Sequence, residues 1–226
     1  MGFAKQVGKR VAPKVPAVAP TMTSSFVFQA LDRAIKGVSR LPGAAAAADT
    51  QLKEQHGDVD RAIHEVIENH VRYAGAQGFL TNLGGLATMT VTVPANITGL
   101  ALIQCRMVAG IAHLRGYDLD DPRTRTAILA CLLGEERMLG LIRSKKLPGT
   151  PMAIATAPVS DPHLGKVVAN EVAAELITKV AGKKLATTLG RRIPVVGGVV
   201  GAGTDAYSSW QIGRYVAKEL LPRNRR

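Results

Sequence analysis

Apolar residues recur every three to four positions along most of the chain, which is the period of an amphipathic α-helix. The clearest stripe follows Asp58, with Ile63, Val66 and Val71 on one face and charged side chains on the other. Similar stripes predict further helices that begin at Thr23 or Ser24, before Ile97, at Pro122 and at Pro162. The alanine run from Ala44 predicts another helix by its high helix propensity. The sequence therefore predicts an all-α fold, a single-domain helical bundle over residues 23–222.

Two Asp-Pro pairs mark the sharpest helix boundaries. Asp121 and Asp161 can each accept hydrogen bonds from the free N–H groups of a new helix, and proline fits the first helical position. Gly116 suits the left-handed cap at the end of the preceding helix. The helix after Asp121 is predicted to continue through residues 122–142, whereas the prolines and glycine in 147–162 predict a long loop.

The longest segment without Asp, Glu, Lys or Arg runs from Tyr73 to Cys105, and its length suffices to cross a bilayer. Glycine, threonine and one proline dilute the apolar character of Leu83 to Ile103. We interpret this part as a bent apolar hairpin arm that is buried in the bundle or dips into one leaflet. Residues 88–93 alternate as in a strand, but a lone strand lacks a pairing partner, so a helix bent or interrupted at Pro94 is favoured.

The formal net charge of +12 points to an anionic partner. Nucleic-acid binding by stacking needs exposed aromatic residues among the basic ones, and aromatic residues make up only 4% of this chain. An anionic membrane surface or a membrane protein is therefore the favoured partner over nucleic acid.

The basic residues assigned to membrane or anion contact are Lys5, Lys9, Arg10, Lys14, Arg191 and Arg192. The first four belong to a proline-broken arm, residues 1–22, for which a solvated tail is the alternative interpretation. A short basic tail, residues 223–226, ends the chain. The start of the sequence lacks the apolar core of a secretory signal, so we expect a cytoplasmic protein on the inner face of the membrane.

Few residues suggest chemistry. Cys105 and Cys131 lie inside apolar helical patterns, where a thiol behaves as a small hydrophobe. His113 and Asp118 are weak catalytic candidates for a base with an orienting acid, but no nucleophile stands at a recognisable turn. Asp118, Asp120 and Asp121 lack the glycine and glutamate of a calcium loop, and His64 with Glu68 lacks a third metal ligand. We therefore predict no metal site and no cofactor.

Glycines are concentrated near the start of the predicted C-terminal helix. They match neither the dinucleotide fingerprint nor the phosphate-loop pattern. Gly197 and Gly201 are four positions apart on one helix face, as in a glycine zipper, which favours close helix packing.

Three segments together resemble the EcsC protein family. They are Pro94-Ala95-Asn96-Ile97 with the stripe through Gln104, Arg106 and Ile111-Ala112, then Gly116 to Pro122, and finally Ile193-Pro194-Val195-Val196-Gly197. The resemblance covers the chain from about residue 50 onward and leaves the basic arm outside. It implies a mostly helical bacterial protein, from a family named for a gene beside an ABC exporter. It implies no reaction and no catalytic residue.

The leading hypothesis is a non-enzymatic, membrane-associated helical accessory protein that contacts lipid or a membrane transporter. One alternative is a soluble helical hydrolase that uses His113 and the acidic turn Asp118 to Asp121. Another is a nucleic-acid binder that uses the basic arm and the tail residues Arg223, Arg225 and Arg226.

Overall fold

A computed structural model describes residues 24–39, 41–83, 89–189 and 194–223 of the chain, and within these residues the secondary structure is almost entirely helical. The elements are α1 Ser24–Lys36, β1 Gly37–Val38, β2 Leu41–Pro42, α2 Ala44–Glu54, α3 Val59–Leu83, α4 Met89–Leu114, α5 Pro122–Cys131, α6 Gly134–Arg143, α7 Pro151–Ala155, α8 Pro162–Leu189 and α9 Pro194–Glu219. The predicted all-α single-domain bundle is confirmed.

Helix α4 forms the centre of the bundle and contacts α1, α2, α3, α5, α8 and α9. Its residues Leu100, Met107 and Ile111 are fully buried, because neighbouring helices cover the helix on several sides. The window Ile97–Leu114 is long and apolar enough to cross a membrane, but 72% of it is buried inside the bundle. This degree of burial is typical of a core helix.

Helices α3 and α4 run antiparallel. Gly99, near the start of α4, lies against the side chain of Gln77, near the end of α3. Further along α4, a Cβ on Gly110 would lie 3.5 Å from Cγ1 of Val66. Residues further along α4 therefore contact earlier residues of α3, as in an antiparallel pair.

Helices α3 and α9 are also antiparallel. A Cβ on Gly75 would lie 3.6 Å from the Cβ of Ala206, whereas Ile67 packs against Gly213. Because both α4 and α9 oppose α3, the end of α3 and the starts of α4 and α9 share one end of the bundle.

Local capping chemistry sets several helix boundaries. Asp121 caps α5, since its Oδ1 accepts from the backbone N of Arg123 at 2.8 Å, and Oδ1 of Asp161 accepts from His163 N at the start of α8. At the end of α4, Gly116 takes a φ of 85°, and Tyr117 N donates to the carbonyl of Ala112. A left-handed glycine is favoured there because it has no Cβ to clash.

Two local expectations were wrong. The predicted helix over 122–142 divides into α5 and α6 at Gly134, where a φ of 75° ends the right-handed hydrogen-bond ladder. The predicted loop 147–162 contains α7, which Thr150 caps by accepting from Ala153 N. The helix that was favoured over a strand around Pro94 is confirmed, since α4 includes this residue without a break. A two-residue antiparallel ribbon, β1 with β2, follows α1 and had not been predicted.

Candidate functional site

A cavity of about 880 Å³ lies beside the acidic turn that links α4 to α5. It is lined by Ile35, Ala45, His113, Gly116, Tyr117, Asp118, Leu119, Asp120, Asp121, Arg123, Thr124 and Arg223. The structure thus brings both weak catalytic candidates, His113 and Asp118, to the lining of one cavity.

His113 is oriented by an acid from another helix. Its Nε2 lies 2.8 Å from Oδ1 of Asp49 on α2, a residue that is 64 positions away in the sequence. Asp118 serves the turn itself, because its Oδ1 accepts from the backbone N of Asp120 at 2.9 Å. The first contact resembles a general base held by a carboxylate, and the second is a local turn contact.

Asp121 is engaged by its helix and by an arginine. The Arg123 guanidinium donates from Nε to Oδ1 at 3.0 Å and from Nη2 to Oδ2 at 2.6 Å. This side-chain hydrogen bond, together with the helix N–H groups, holds the pKa of the Asp121 carboxyl below its ordinary value. A carboxylate that is tied in this way is a poor proton donor or acceptor at neutral pH.

The C-terminal segment borders the cavity through Arg223. Tyr117 donates from its hydroxyl to the carbonyl of Leu221 at 3.0 Å, and the Arg223 guanidinium lies 5.4 Å from the Tyr117 ring centroid. Arg223 N also donates to the carbonyl of Arg115 at 2.7 Å. Burial raises the pKa of the Tyr117 phenol, so this hydroxyl stays protonated and structural.

The cysteines do not supply a nucleophile. Cys105 and Cys131 are free and fully buried, as the apolar patterns predicted. Burial raises the pKa of the Cys105 thiol to about 12 and also raises that of Cys131, so both are neutral thiols. Within the described ranges, no group of three His, Cys, Asp or Glu side chains has the spacing to hold a metal ion.

A second feature, which the sequence analysis missed, is an exposed aromatic patch on α9. The rings of Tyr207 and Trp210 stack with centroids 6.0 Å apart, and the Arg214 guanidinium lies 5.7 Å from the Trp210 ring. Gln211 donates to the Tyr207 hydroxyl at 3.2 Å. Tyr207 is 60% exposed and Trp210 46% exposed. The signal in the sequence was the recurrence of these residues at helical spacing on the polar face of α9.

Several predicted site residues belong to parts of the chain that the structure does not describe. Lys5, Lys9, Arg10, Lys14, Arg191 and Arg192 lie outside the described residues. Gly197 and Gly201 belong to the described backbone of α9, but their packing surroundings lie outside the described part. Among the described helical glycines, tight contacts with a neighbouring helix occur at Gly213, beside Ile67, and at Gly99, beside the Gln77 side chain.

The family model described as the EcsC protein family matches residues 2–220. The chain belongs to the EcsC protein family. The match begins within the basic arm, so the expectation that this arm lies outside the family resemblance was wrong. Comparison of this EcsC protein with curated proteins gave no match, and neither did comparison with solved structures.

Proposed function

We propose that this EcsC family member is a non-enzymatic helical accessory protein that attaches peripherally to an anionic membrane surface on its cytoplasmic face. The observation that supports the proposal is a group of exposed aromatic residues, Tyr73 on α3 with Tyr207 and Trp210 on α9, beside the charge-free parts of these two helices. The shared end of α3, α4 and α9 is the part that we expect to contact lipid.

The first step of the argument concerns charge. The chain has no Asp, Glu, Lys or Arg from Tyr73 through the end of α3, or from the start of α4 to Cys105. In α9 the same is true from Pro194 to Thr204. Because the helix directions bring these segments to one end of the bundle, that end carries no charge from any of the three helices. A membrane interior tolerates such segments far better than charged ones.

The second step concerns the boundary of this end. Tyr73 is 56% exposed. Gly75 on α3 contacts Ala206 on α9, so Tyr73 and Tyr207 lie at about the same height along the bundle. Trp210 lies about one helical turn beyond Tyr207 on α9, on the side away from the charge-free end. Tyr and Trp are enriched at membrane interfaces because their rings are apolar and their O–H and N–H groups are polar.

The third step concerns positive charge. Arg72 directly precedes the charge-free part of α3, and Arg214 lies against Trp210 on α9. With a net charge of +12, the protein is attracted to an anionic leaflet, and each Lys or Arg close to that surface contributes about 1 kcal/mol. This attraction is screened by salt.

The test uses Trp210, the single tryptophan of the chain, as its own probe. Anionic vesicles should shift its fluorescence emission to the blue, neutral vesicles should not, and moderate salt should weaken the shift. Tyr207→Ser should weaken vesicle binding, whereas Val159→Ser, at an exposed apolar residue outside this patch, should leave it unchanged. Absence of binding to anionic vesicles would refute the proposal.

A soluble hydrolase is the second candidate, favoured by the cavity that holds His113 and the acidic turn. The contact between His113 and Asp49 provides a base with an orienting acid, which can activate a water molecule. A panel of ester and phosphoester substrates tests this candidate. Hydrolysis that His113→Gln abolishes and Asp49→Asn reduces would support it over a purely accessory role.

A further inference from the structure

Arg106 on α4 is the most deeply buried arginine of the described residues, at 6% exposure. Its guanidinium donates from Nη1 to the carbonyl of Pro42 at the end of β2. No acidic side chain of the described residues lies within ion-pair distance of it. A buried cation without a counterion is costly, so the position calls for an anion.

The other partly buried arginines show that this is unusual for the protein. Arg115 pairs with Asp60 at 3.1 Å, Arg123 pairs with Asp121, and Arg125 pairs with Asp32. Each of these three is more exposed than Arg106 and nevertheless has a carboxylate partner. Arg106 differs from these three arginines because it has no carboxylate partner among the described residues.

Two further features beside Arg106 favour an anion. Pro42 directly precedes Gly43, the N-cap of α2, which provides no side-chain cap, and the first turn of α2 contains no acidic residue. The positive end of a helix dipole is therefore close to a buried positive charge. His70, near enough to feel the charge of Arg106, has a buried Nε2 without a hydrogen-bond partner, because its Nδ1 is used by the carbonyl of Val66 at 2.7 Å.

The surface around these groups has the composition of a membrane interface. Tyr73 packs edge-on against the His70 ring, with centroids 5.8 Å apart, and is itself half exposed. Val38 and Leu41 of the small ribbon are exposed next to Pro42. Arg106 lies on α4 between Gly99, which contacts Gln77, and Gly110, which contacts Val66, so it stands near the height of His70 and Tyr73 on α3.

We infer that Arg106, the N-terminus of α2 and His70 form a binding site for the phosphate monoester headgroup of an anionic phospholipid. The guanidinium fork and the free helix N–H groups suit phosphate oxygens. A monoester that keeps one proton also supplies the donor that His70 Nε2 lacks. This inference rests on the proposed membrane attachment and adds a headgroup preference to it.

The experiment compares vesicles that contain phosphatidic acid with vesicles that contain phosphatidylglycerol, at matched surface charge. The protein should bind the first about tenfold more tightly, which corresponds to about 1.4 kcal/mol. Arg106→Gln should abolish this preference and retain binding to phosphatidylglycerol. Arg143→Gln, the matched control, removes one exposed positive charge from α6 and should retain the preference.

The outcomes separate this inference from the proposed function. Equal binding of the wild type to both lipids, or a preference that survives Arg106→Gln, overturns the headgroup site and leaves membrane attachment standing. Binding to neither vesicle overturns both. Stabilisation by inorganic phosphate without a lipid preference would assign the site to a soluble ligand and overturn the lipid assignment. If Arg106→Gln does not fold, Arg106→Lys, which retains the charge without the fork, should lower the preference severalfold.

Discussion

Gly213 on α9 approaches Ile67 on α3 so closely that a Cβ on the glycine would lie 2.8 Å from Cγ2 of the isoleucine. Real Cβ atoms essentially never come this close to another heavy atom. The absence of a side chain at Gly213 therefore sets the distance between the two helices.

Gly213→Ala should lower the free energy of unfolding by about 1 to 3 kcal/mol, because the added methyl group overpacks this contact. Gly203→Ala is the matched control on the same helix, where a Cβ would meet nothing within 4 Å. That change should stabilise by up to about 1 kcal/mol through helix propensity. Urea denaturation measures both, and equal effects would contradict the packing role of Gly213.

His70 should make stability depend on pH. Burial is the main cause that lowers the pKa of His70 from 6.5 to about 4. The positive charge of Arg106 also lowers this pKa, whereas the hydrogen bond to the Val66 carbonyl raises it. The unfolded chain therefore binds a proton between these values while the folded chain does not, so stability falls as the pH drops from 6.5 to 4. The lowered pKa of His70 should therefore reduce the free energy of unfolding by about 3 kcal/mol as the pH falls across this range.

His70→Leu should remove this part of the acid destabilisation, as measured by urea denaturation at several pH values. His163→Gln, at an exposed position in the first turn of α8, should keep the wild-type pH dependence. A His70→Leu protein with an unchanged slope between pH 6.5 and 4 would show that His70 titrates normally.

Asp121 should contribute both a helix cap and an ion pair. Asp121→Ala should cost about 1 kcal/mol of stability, with Asp121→Asn costing less because asparagine also caps well. Since the folded-state pKa of Asp121 is lowered, its ionic contribution is present above the ordinary value of 3.8 and is lost as the pH falls below it. Asp120→Ala, at the exposed neighbouring residue, should have little effect on thermal unfolding.

Peripheral attachment predicts that no helix crosses the membrane. Single cysteines at Ala76 and Asp118, in a background with Cys105→Ala and Cys131→Ala, report on the two ends of the α3 to α4 hairpin. Both should react with an impermeant maleimide only after cells are opened with detergent. Labelling of either one in intact cells would mean that the chain spans the bilayer.

The sequence alone determined the helical class and several of the helix boundaries. Asp121, Asp161 and Gly116 act through hydrogen bonds to backbone groups a few residues away, so their roles can be read from neighbouring positions. The burial of Cys105 and Cys131 likewise follows from the apolar stripe on their own helices.

Local chemistry was also where the sequence analysis erred, at positions with more than one allowed conformation. Glycine tolerates both signs of φ, so nothing near Gly134 showed that the backbone turns left-handed there. At Pro94 the helix was predicted correctly and an interruption was left open; proline removes only one helical hydrogen bond, and the surrounding helices maintain α4 as one element.

Only the tertiary structure decided which distant residues meet. His113 faces Asp49 across 64 positions, and Tyr73 reaches the height of Tyr207 because α3 and α9 run antiparallel. The lack of a carboxylate beside Arg106 is likewise a property of the assembled bundle, since Asp and Glu are plentiful elsewhere in the chain. Helical periodicity specifies which face of a helix is buried, but it carries no information about which helix covers that face.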